Sequence, residues 1–314
     1  MTPSDASTSI VIHPDTSVQI KCGNTALSSF KDVVFAKPTL PNGKTMDLNM
    51  DILVPKTPGK KPLVIYVPGG GFTMAMKEGA LDLRNYLAES GFVVASIEYR
   101  TAPKGAHYRD GIADVKSAVR FLRAHASEYD IEPAKVGIWG ESAGGYLVGM
   151  VGVTNGDKSF DVGDNLDQSS DVQAVADKFG PADVSKVAVD FDPDMQKAMY
   201  APDGDIAKYI GGFTADGNLK DPKSNAVEYV SAAAPPFQIF HGNKDQIVSP
   251  SQTLVLHNAL VAKGASSVRY VVDGANHGDM AFAGKPEEAL PWSSKEVMDL
   301  TVAFFKQHLS AAEK

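Results

Sequence analysis

Gly140-Glu141-Ser142-Ala143-Gly144 stands where a short apolar run (Val136, Ile138, Trp139) stops and a run of small residues with helical character, 143–151, begins. This reads as a strand, a sharp turn and a helix, with a serine at the tip. Glycines two before and two after the serine allow a strained backbone with no side chains colliding beneath it. The hydroxyl then stands at the end of a sheet and faces a cleft. G-x-S-x-G alone recurs by chance. Its strand–turn–helix setting and two matching segments downstream give it weight.

A serine hydroxyl is a poor nucleophile at neutral pH. It needs a base within hydrogen-bond reach, and the base needs an orienting acid. In the strand–turn–helix arrangement the chain order is Ser, then Asp or Glu, then His. Two downstream loops qualify. His241-Gly242-Asn243-Lys244-Asp245-Gln246-Ile247-Val248 follows the apolar run 237–240. Asp245 therefore falls beyond the C-terminal end of a parallel strand, where such sheets place their sites. Asp273-Gly274-Ala275-Asn276-His277-Gly278-Asp279 follows the run 268–272 and puts His277 on the next loop, flanked by glycines. The other histidines fit the base role less well. His13 precedes the sheet, His107 and His125 flank a helix, and His257 is mid-helix. His308 lies near the end of the last helix, where a cation is favoured, and His241 reads as support for the Asp245 loop. Asp183, beyond the run 172–179, is the alternative acid, while Asp273 and Asp279 read as turn residues.

Pro68-Gly69-Gly70-Gly71-Phe72 directly follows the run 63–67, LVIYV. Successive glycines can turn backbone N–H groups toward one point, where a tetrahedral intermediate develops negative charge. The candidate donors are the N–H groups of Gly70 and Gly71, joined by that of Ala143. A phosphate cradle is the rival reading, and it fails because no Gly-Lys-Ser/Thr follows. A plain tight turn is the bland alternative. Phe72, Met74, Met76 and Tyr146, close in sequence to the glycine loop and the serine, are candidate pocket-wall residues. Each is equally readable as plain core.

Apolar runs at 63–67, 92–97, 136–139, 172–179, 237–240 and 268–272 alternate with helix patterns at 79–90, 108–127, 143–152, 250–263 and 294–309. Continuous apolar runs suit strands buried on both faces, and β–α alternation implies a parallel sheet with right-handed crossovers and helices on both faces. The start of the chain differs. Short strands are expected at 18–20, 33–35 and 48–54, and polar–apolar alternation over 46–53 suggests a half-solvated antiparallel strand. The fold class is therefore α/β, a mostly parallel central sheet with an antiparallel N-terminal edge. One domain spans 1–314, with 1–45 a strand-and-turn extension. Residues 183–230, rich in Asp, Pro and Gly, form an irregular lid-like insert; a surface excursion without a role is the alternative.

A net charge of −8 argues against a nucleic-acid or anionic-membrane partner. No apolar run is long enough for a membrane span. A single cysteine, Cys22, excludes an internal disulfide and reads as a small apolar filler. The first 16 residues lack a basic start and an apolar stretch, which points to the cytoplasm; a chain without its leader would read the same.

Six segments in order resemble the α/β-hydrolase superfamily: Pro68 to Phe72, Glu98-Tyr99-Arg100-Thr101-Ala102-Pro103, the stretch from Asp114 to Leu122, Gly140 to Gly145, Ala234-Pro235-Pro236 with His241 to Asp245, and Gly274 to Gly278. They are most similar to bacterial carboxylesterases related to the hormone-sensitive-lipase group and to the feruloyl- and acetyl-xylan-esterase-like group. The resemblance runs from about residue 46 onward. It implies Ser142 as nucleophile, Asp245 as acid and His277 as base, acting on a small-molecule ester without metal or cofactor. The lipase-like group carries a loop-ordering histidine where this chain has Pro68. The Pro-Gly-Gly-Gly version belongs to the xylan-esterase-like relatives and tilts the expected substrate toward acylated sugars or phenolic esters. The large helical N-terminal cap of the lipase-like group has no counterpart in 1–45, so short acyl chains are expected. A peptidase or amidase of the prolyl-oligopeptidase kind and a catalytically silent binding protein are the alternatives. Homo-oligomer formation is left open.

Overall fold

The apolar runs from residue 63 onward become adjacent strands because each can be covered on both faces. In chain order the strands are β1 (Ile10–Ile12), β2 (Leu27–Ala36), β3 (Leu48–Pro55), β4 (Lys61–Val67), β5 (Val93–Ile97), β6 (Ile131–Glu141), β7 (Ala174–Lys178), β8 (Phe237–Gly242) and β9 (Ser267–Val272). The helices are α1 (Leu81–Glu89), α2 (Tyr108–Ala124), α3 (Ala143–Val153), α4 (Pro193–Met199), α5 (Asp205–Ile210), α6 (Ser251–Ala262) and α7 (Lys295–Leu309). The structure, a computed structural model, describes residues 8–278 and 285–309. Asp279, read above as a turn residue, lies outside them.

The strands form one sheet in the order β1-β9-β8-β7-β6-β4-β5-β3-β2. Every pairing from β1 to β5 along that order is parallel, whereas β3 runs antiparallel to both β5 and β2. Alternate residues of β4 serve opposite layers. Leu63, Ile65 and Val67 pack with residues of α2, α3 and α6, including Ile112, Leu147 and Leu256. Val64 and Tyr66 pack with Leu87 of α1 and Phe305 of α7. Helices therefore cover both faces, as expected of a mostly parallel sheet.

Three expectations for the first 60 residues are corrected. Residues 18–20 form no strand; Gln19 makes only an isolated bridge to Ser294. The strand at that end of the chain is β1, whose three residues pair with Tyr270, Val271 and Val272 of β9. Residues 46–53 are not half-solvated. β3 is buried nearly throughout because it lies between β2 and β5. Its Asp51 tolerates burial by pairing with Lys77 at 3.3 Å, and its Asn49 bonds Glu98. The alternation therefore reflects buried polar pairing and not a wet face. Cys22, read as a filler, is exposed. The insert 183–230 leaves the sheet after β7, carries α4, α5 and several 3-10 turns, and returns at β8.

Asp177 of β7 is buried against the start of α3. Its Oδ1 accepts the Gly180 N–H at 2.9 Å, and a Cβ on Gly145 would lie 2.4 Å from that oxygen. Burial pushes its carboxyl up from 3.8 to about 7, opposed by the Gly180 hydrogen bond. The sign follows from proton uptake. Between pH 4 and 7 the folded chain holds a proton that the unfolded chain releases, so stability falls as pH rises through that window. The gap corresponds to about 4 kcal/mol at most. Asp177→Asn is expected to flatten the loss of melting temperature between pH 5 and 8 and to exceed the wild type in stability at pH 8. Identical pH dependence of the two proteins would overturn this.

Candidate active site

Ser142 occupies the turn between β6 and α3 with φ 55° and ψ −121°, a strained conformation for a non-glycine residue. Its neighbours explain how the turn closes. A Cβ on Gly140 would lie 2.3 Å from the Gly144 carbonyl oxygen, and one on Gly144 only 2.0 Å from that of Val67. The Ser142 N–H donates to Lys178 O at 3.0 Å, tying the turn to the adjacent strand β7.

The three residues expected to act together do meet. His277 Nε2 lies 2.7 Å from Ser142 Oγ, and His277 Nδ1 lies 2.8 Å from Asp245 Oδ2. His277 and Asp245 are buried, while Ser142 is partly open. Asp245 Oδ1 accepts the N–H groups of Ile247 at 2.8 Å and Val248 at 2.9 Å. Burial alone would raise the Asp245 carboxyl; the charge of His277 and hydrogen bonds from His241 and His277 outweigh it and hold the group well below the usual carboxylate range. The carboxylate is thus ionised wherever the protein is folded near neutrality.

The competing residues are engaged elsewhere. Asp183 accepts from Ser185 and pairs with Lys186, so it is not the partner of His277. Asp273 bonds His13 and Asn243. His107 and His125 bond backbone carbonyls at the two ends of α2, and His257 bonds Ser267 and Thr8. His308 packs against Phe304.

The glycine loop sits beside the serine turn. Gly70 and Gly71 take φ 142° and 58°, and the Gly70 carbonyl accepts from Thr73 and Met74 so that the loop folds back on itself. Among the described residues, the N–H groups of Gly70, Gly71 and Ala143 have no acceptor. Phe72 and Tyr146 are buried in the core, the alternative open to each. Phe72 stacks on Tyr209 of α5 and meets Tyr146 edge-on, and the Tyr146 hydroxyl donates to Ser224 O. Met74 and Met76 are 52% and 57% exposed, and neither lines a described cavity.

Several supporting residues were quoted in motifs without a role. The Tyr99 hydroxyl donates to Pro68 O at 3.0 Å, bracing the glycine loop. Arg100 forks onto Asp114 through Nε and Nη2, which locks the Tyr99 segment to α2. Asn276 Oδ1 accepts the N–H groups of His277 and Gln246, lacing the base loop to the acid loop. Glu141 and Lys178 carried no sequence signal as a pair. Glu141 Oε1 lies 3.6 Å from the buried Lys178 Nζ, which stands over the Trp139 ring. Burial lowers the Lys178 ammonium, with Glu141 opposing.

Two cavities adjoin these groups. One of about 280 Å³ is lined by Glu141 and Gly278, the chain neighbours of Ser142 and His277, with Leu81, Asp82 and Trp292 opposite. The larger, about 450 Å³, is lined by Asp245 with Phe191, Met195 and Gln246. Neither is lined by Ser142 or His277; the smaller is taken as the candidate substrate pocket because the chain neighbours of both residues line it. Among the described residues no group of three or more His, Cys, Asp or Glu is arranged to hold a metal ion. None of their helices is long and apolar enough to cross a membrane.

The chain is similar to known ester hydrolases. The probable carboxylic ester hydrolase LipM of Mycobacterium tuberculosis is 32% identical over 196 residues, 62% of this chain and 43% of LipM. Esterase LipQ of the same organism is 28% identical over 228 residues, 70% of this chain and 51% of LipQ. The chain thus spans about half the length of these relatives. A solved truncated form of a carbohydrate esterase from gut microbiota has a TM-score of 0.74 at 25% identity, covering 96% of this chain and 100% of that one. The nine-stranded sheet with its serine turn is the α/β-hydrolase fold. Residues 50–260 match the BD-FAE family over most of the sheet, and the chain belongs to that family.

Proposed function

We propose that this chain is a carboxylic-ester hydrolase that works through an acyl-enzyme on Ser142. The observation that carries the reading is the unbroken line Ser142 Oγ–His277 Nε2–His277 Nδ1–Asp245 Oδ2, with contacts of 2.7 and 2.8 Å. His277 takes the Ser142 proton as Oγ attacks the ester carbonyl. Asp245 holds the imidazole with its proton on Nδ1 and stabilises the cation that forms. The unpartnered N–H groups of Gly70, Gly71 and Ala143 receive the oxyanion. His277 then protonates the leaving alcohol, and water releases the acyl group by the same route.

The substrate class is a short-chain ester, with acylated sugars and phenolic esters the preferred alcohols. The cavity lined by Glu141 and Gly278, about 280 Å³, is at the small end of the ~300–1,000 Å³ range of sites for drug-sized ligands, which supports a short acyl group. The names of LipM and LipQ support ester hydrolysis, and the carbohydrate esterase from gut microbiota supports an acylated sugar.

The test is a series of p-nitrophenyl esters with mass analysis of the acid-quenched enzyme. Acetate and butyrate are expected to exceed laurate by about tenfold or more in kcat/KM, since each surplus methylene must stay in water instead of gaining its burial energy. Acetate should leave an acetyl group on the peptide containing Ser142. A faster laurate reaction would overturn the short-chain reading, and an adduct on another residue would overturn the nucleophile.

A further inference from the structure

Asp245 has a second histidine. His241 Nε2 approaches Asp245 Oδ2 to 3.1 Å, the same oxygen that His277 engages, and both side chains are fully buried. His241 Nε2 also lies 3.0 Å from Val248 O. A carbonyl and an ionised carboxylate can only accept, so Nε2 carries the hydrogen. Its other nitrogen, Nδ1, lies 2.8 Å from Thr253 Oγ1. The Thr253 oxygen in turn accepts Arg269 Nε–H at 2.9 Å, and its own hydrogen goes to Nδ1 at 2.8 Å, the nearer of its two acceptors, with Pro250 O at 3.4 Å. Burial, with Arg269 adding to it, keeps His241 below its ordinary value and therefore neutral, against the opposing pull of Asp245.

We propose that His241 is a positioning residue of the ester-hydrolysing site: its Nε2–H, bonded to Val248 O, also faces Asp245 Oδ2 at 3.1 Å and helps hold the carboxylate in the rotation His277 needs. This rests on the reading of Ser142, His277 and Asp245 as the reacting triad. Two donor chains then converge on Oδ2. One runs Ser142–His277 and carries the moving proton. The other runs Arg269–Thr253–His241 and moves nothing. The fixed chain makes the geometry one-directional. Thr253 bonding to Nδ1 strengthens Nε2–H as a donor, and that donor sates part of the carboxylate's negative charge. Without it, Asp245 would bind the His277 cation more tightly and turn more freely about χ2. The charged and titratable groups facing His241 are Asp245 directly, His277 across Asp245, and Arg269 through Thr253.

The experiment measures kcat, KM and the acid limb of the pH–rate profile with p-nitrophenyl acetate for the wild type, His241→Leu, His241→Gln, Thr253→Val and Ser142→Ala, with a melting curve for each. Leu removes the donor. Gln places an amide N–H close to the lost Nε2. His241→Leu is expected to lose about 10- to 100-fold in kcat with KM little changed, the range of one lost hydrogen bond to a charged group. Its acid limb should move up by about half a unit or more, since the cation it competes with is better stabilised. His241→Gln should recover most of both effects. Thr253→Val keeps the imidazole and, although it takes the acceptor from the buried Arg269 Nε–H, reports separately from His241→Leu where its melting curve shows a folded protein; its acid limb should move in the same direction with a loss of about threefold. An unmoved acid limb in the folded variants, or a kcat loss that Gln does not restore, gives His241 a packing role alone and overturns the proposal. A Ser142→Ala protein that still turns over at the wild-type rate overturns the triad reading itself, an outcome distinct from the first.

Discussion

Ser142→Ala lowers p-nitrophenyl acetate hydrolysis by roughly 10⁴- to 10⁶-fold, the loss expected when a nucleophile that acts as a unit with its base is removed. The fold should hardly notice. The Oγ atom contacts His277, and the strain of the turn lies in the backbone at φ 55°, which alanine shares. The change removes one hydrogen bond at a partly open position, worth about 1 kcal/mol. The measurement is an initial rate set beside a melting curve. A residual rate above roughly one per cent of wild type, far more than the glycine loop could supply alone, would show that another group attacks the ester.

Asp245→Asn is expected to cost about 10⁴-fold for a different reason. Oδ1 of Asp245 accepts two backbone N–H groups, from Ile247 and Val248. An asparagine would keep its oxygen there and turn its NH2 toward His277 and His241. That NH2 donates, so His277 Nδ1 must accept, and the ring proton moves to Nε2. A base with its proton already on Nε2 cannot take one from Ser142. The same NH2 opposes the Nε2–H of His241 at a site 3.1 Å away, so the variant should also melt at a lower temperature. Ser142→Ala therefore separates activity from stability, whereas Asp245→Asn loses both. Retention of more than a tenth of the activity in Asp245→Asn would mean that His277 does not need its acid.

The chemistry was legible because it is concentrated in short segments whose residue types have few other uses. A glycine-flanked serine after an apolar run, and an Asp and a His each placed just beyond such a run, can be read one loop at a time. The sheet then brings them together, since β6, β8 and β9 are parallel and end on the same side. Features that depend on distant partners were not legible. Asp51 looked like a solvent-facing residue until Lys77, 26 positions on, is seen to neutralise it. Three residues of β1 carry too little pattern to announce a strand, and only β9 makes them one. Phe72 and Tyr146 were placed by their distance along the chain, but Tyr209 of the insert closes over Phe72. His241 was read as loop support; its tautomer, and with it the donor chain through Thr253, follows from Val248 and Asp245 facing one nitrogen.

The two rims of the sheet have a consequence for how the chain is made. Strands β1 and β2, separated by fewer than 20 residues in sequence, lie at opposite rims of a nine-stranded sheet. On the ribosome, residues 10–12 emerge long before their partners 270–272. Contacts spanning that much sequence are slow to close, and a strand rim left bare is a template for joining other chains. The rim at β9 is therefore sealed only after synthesis has passed the base loop. The finished sheet and its open-edged nascent form thus differ by the closure of one edge strand.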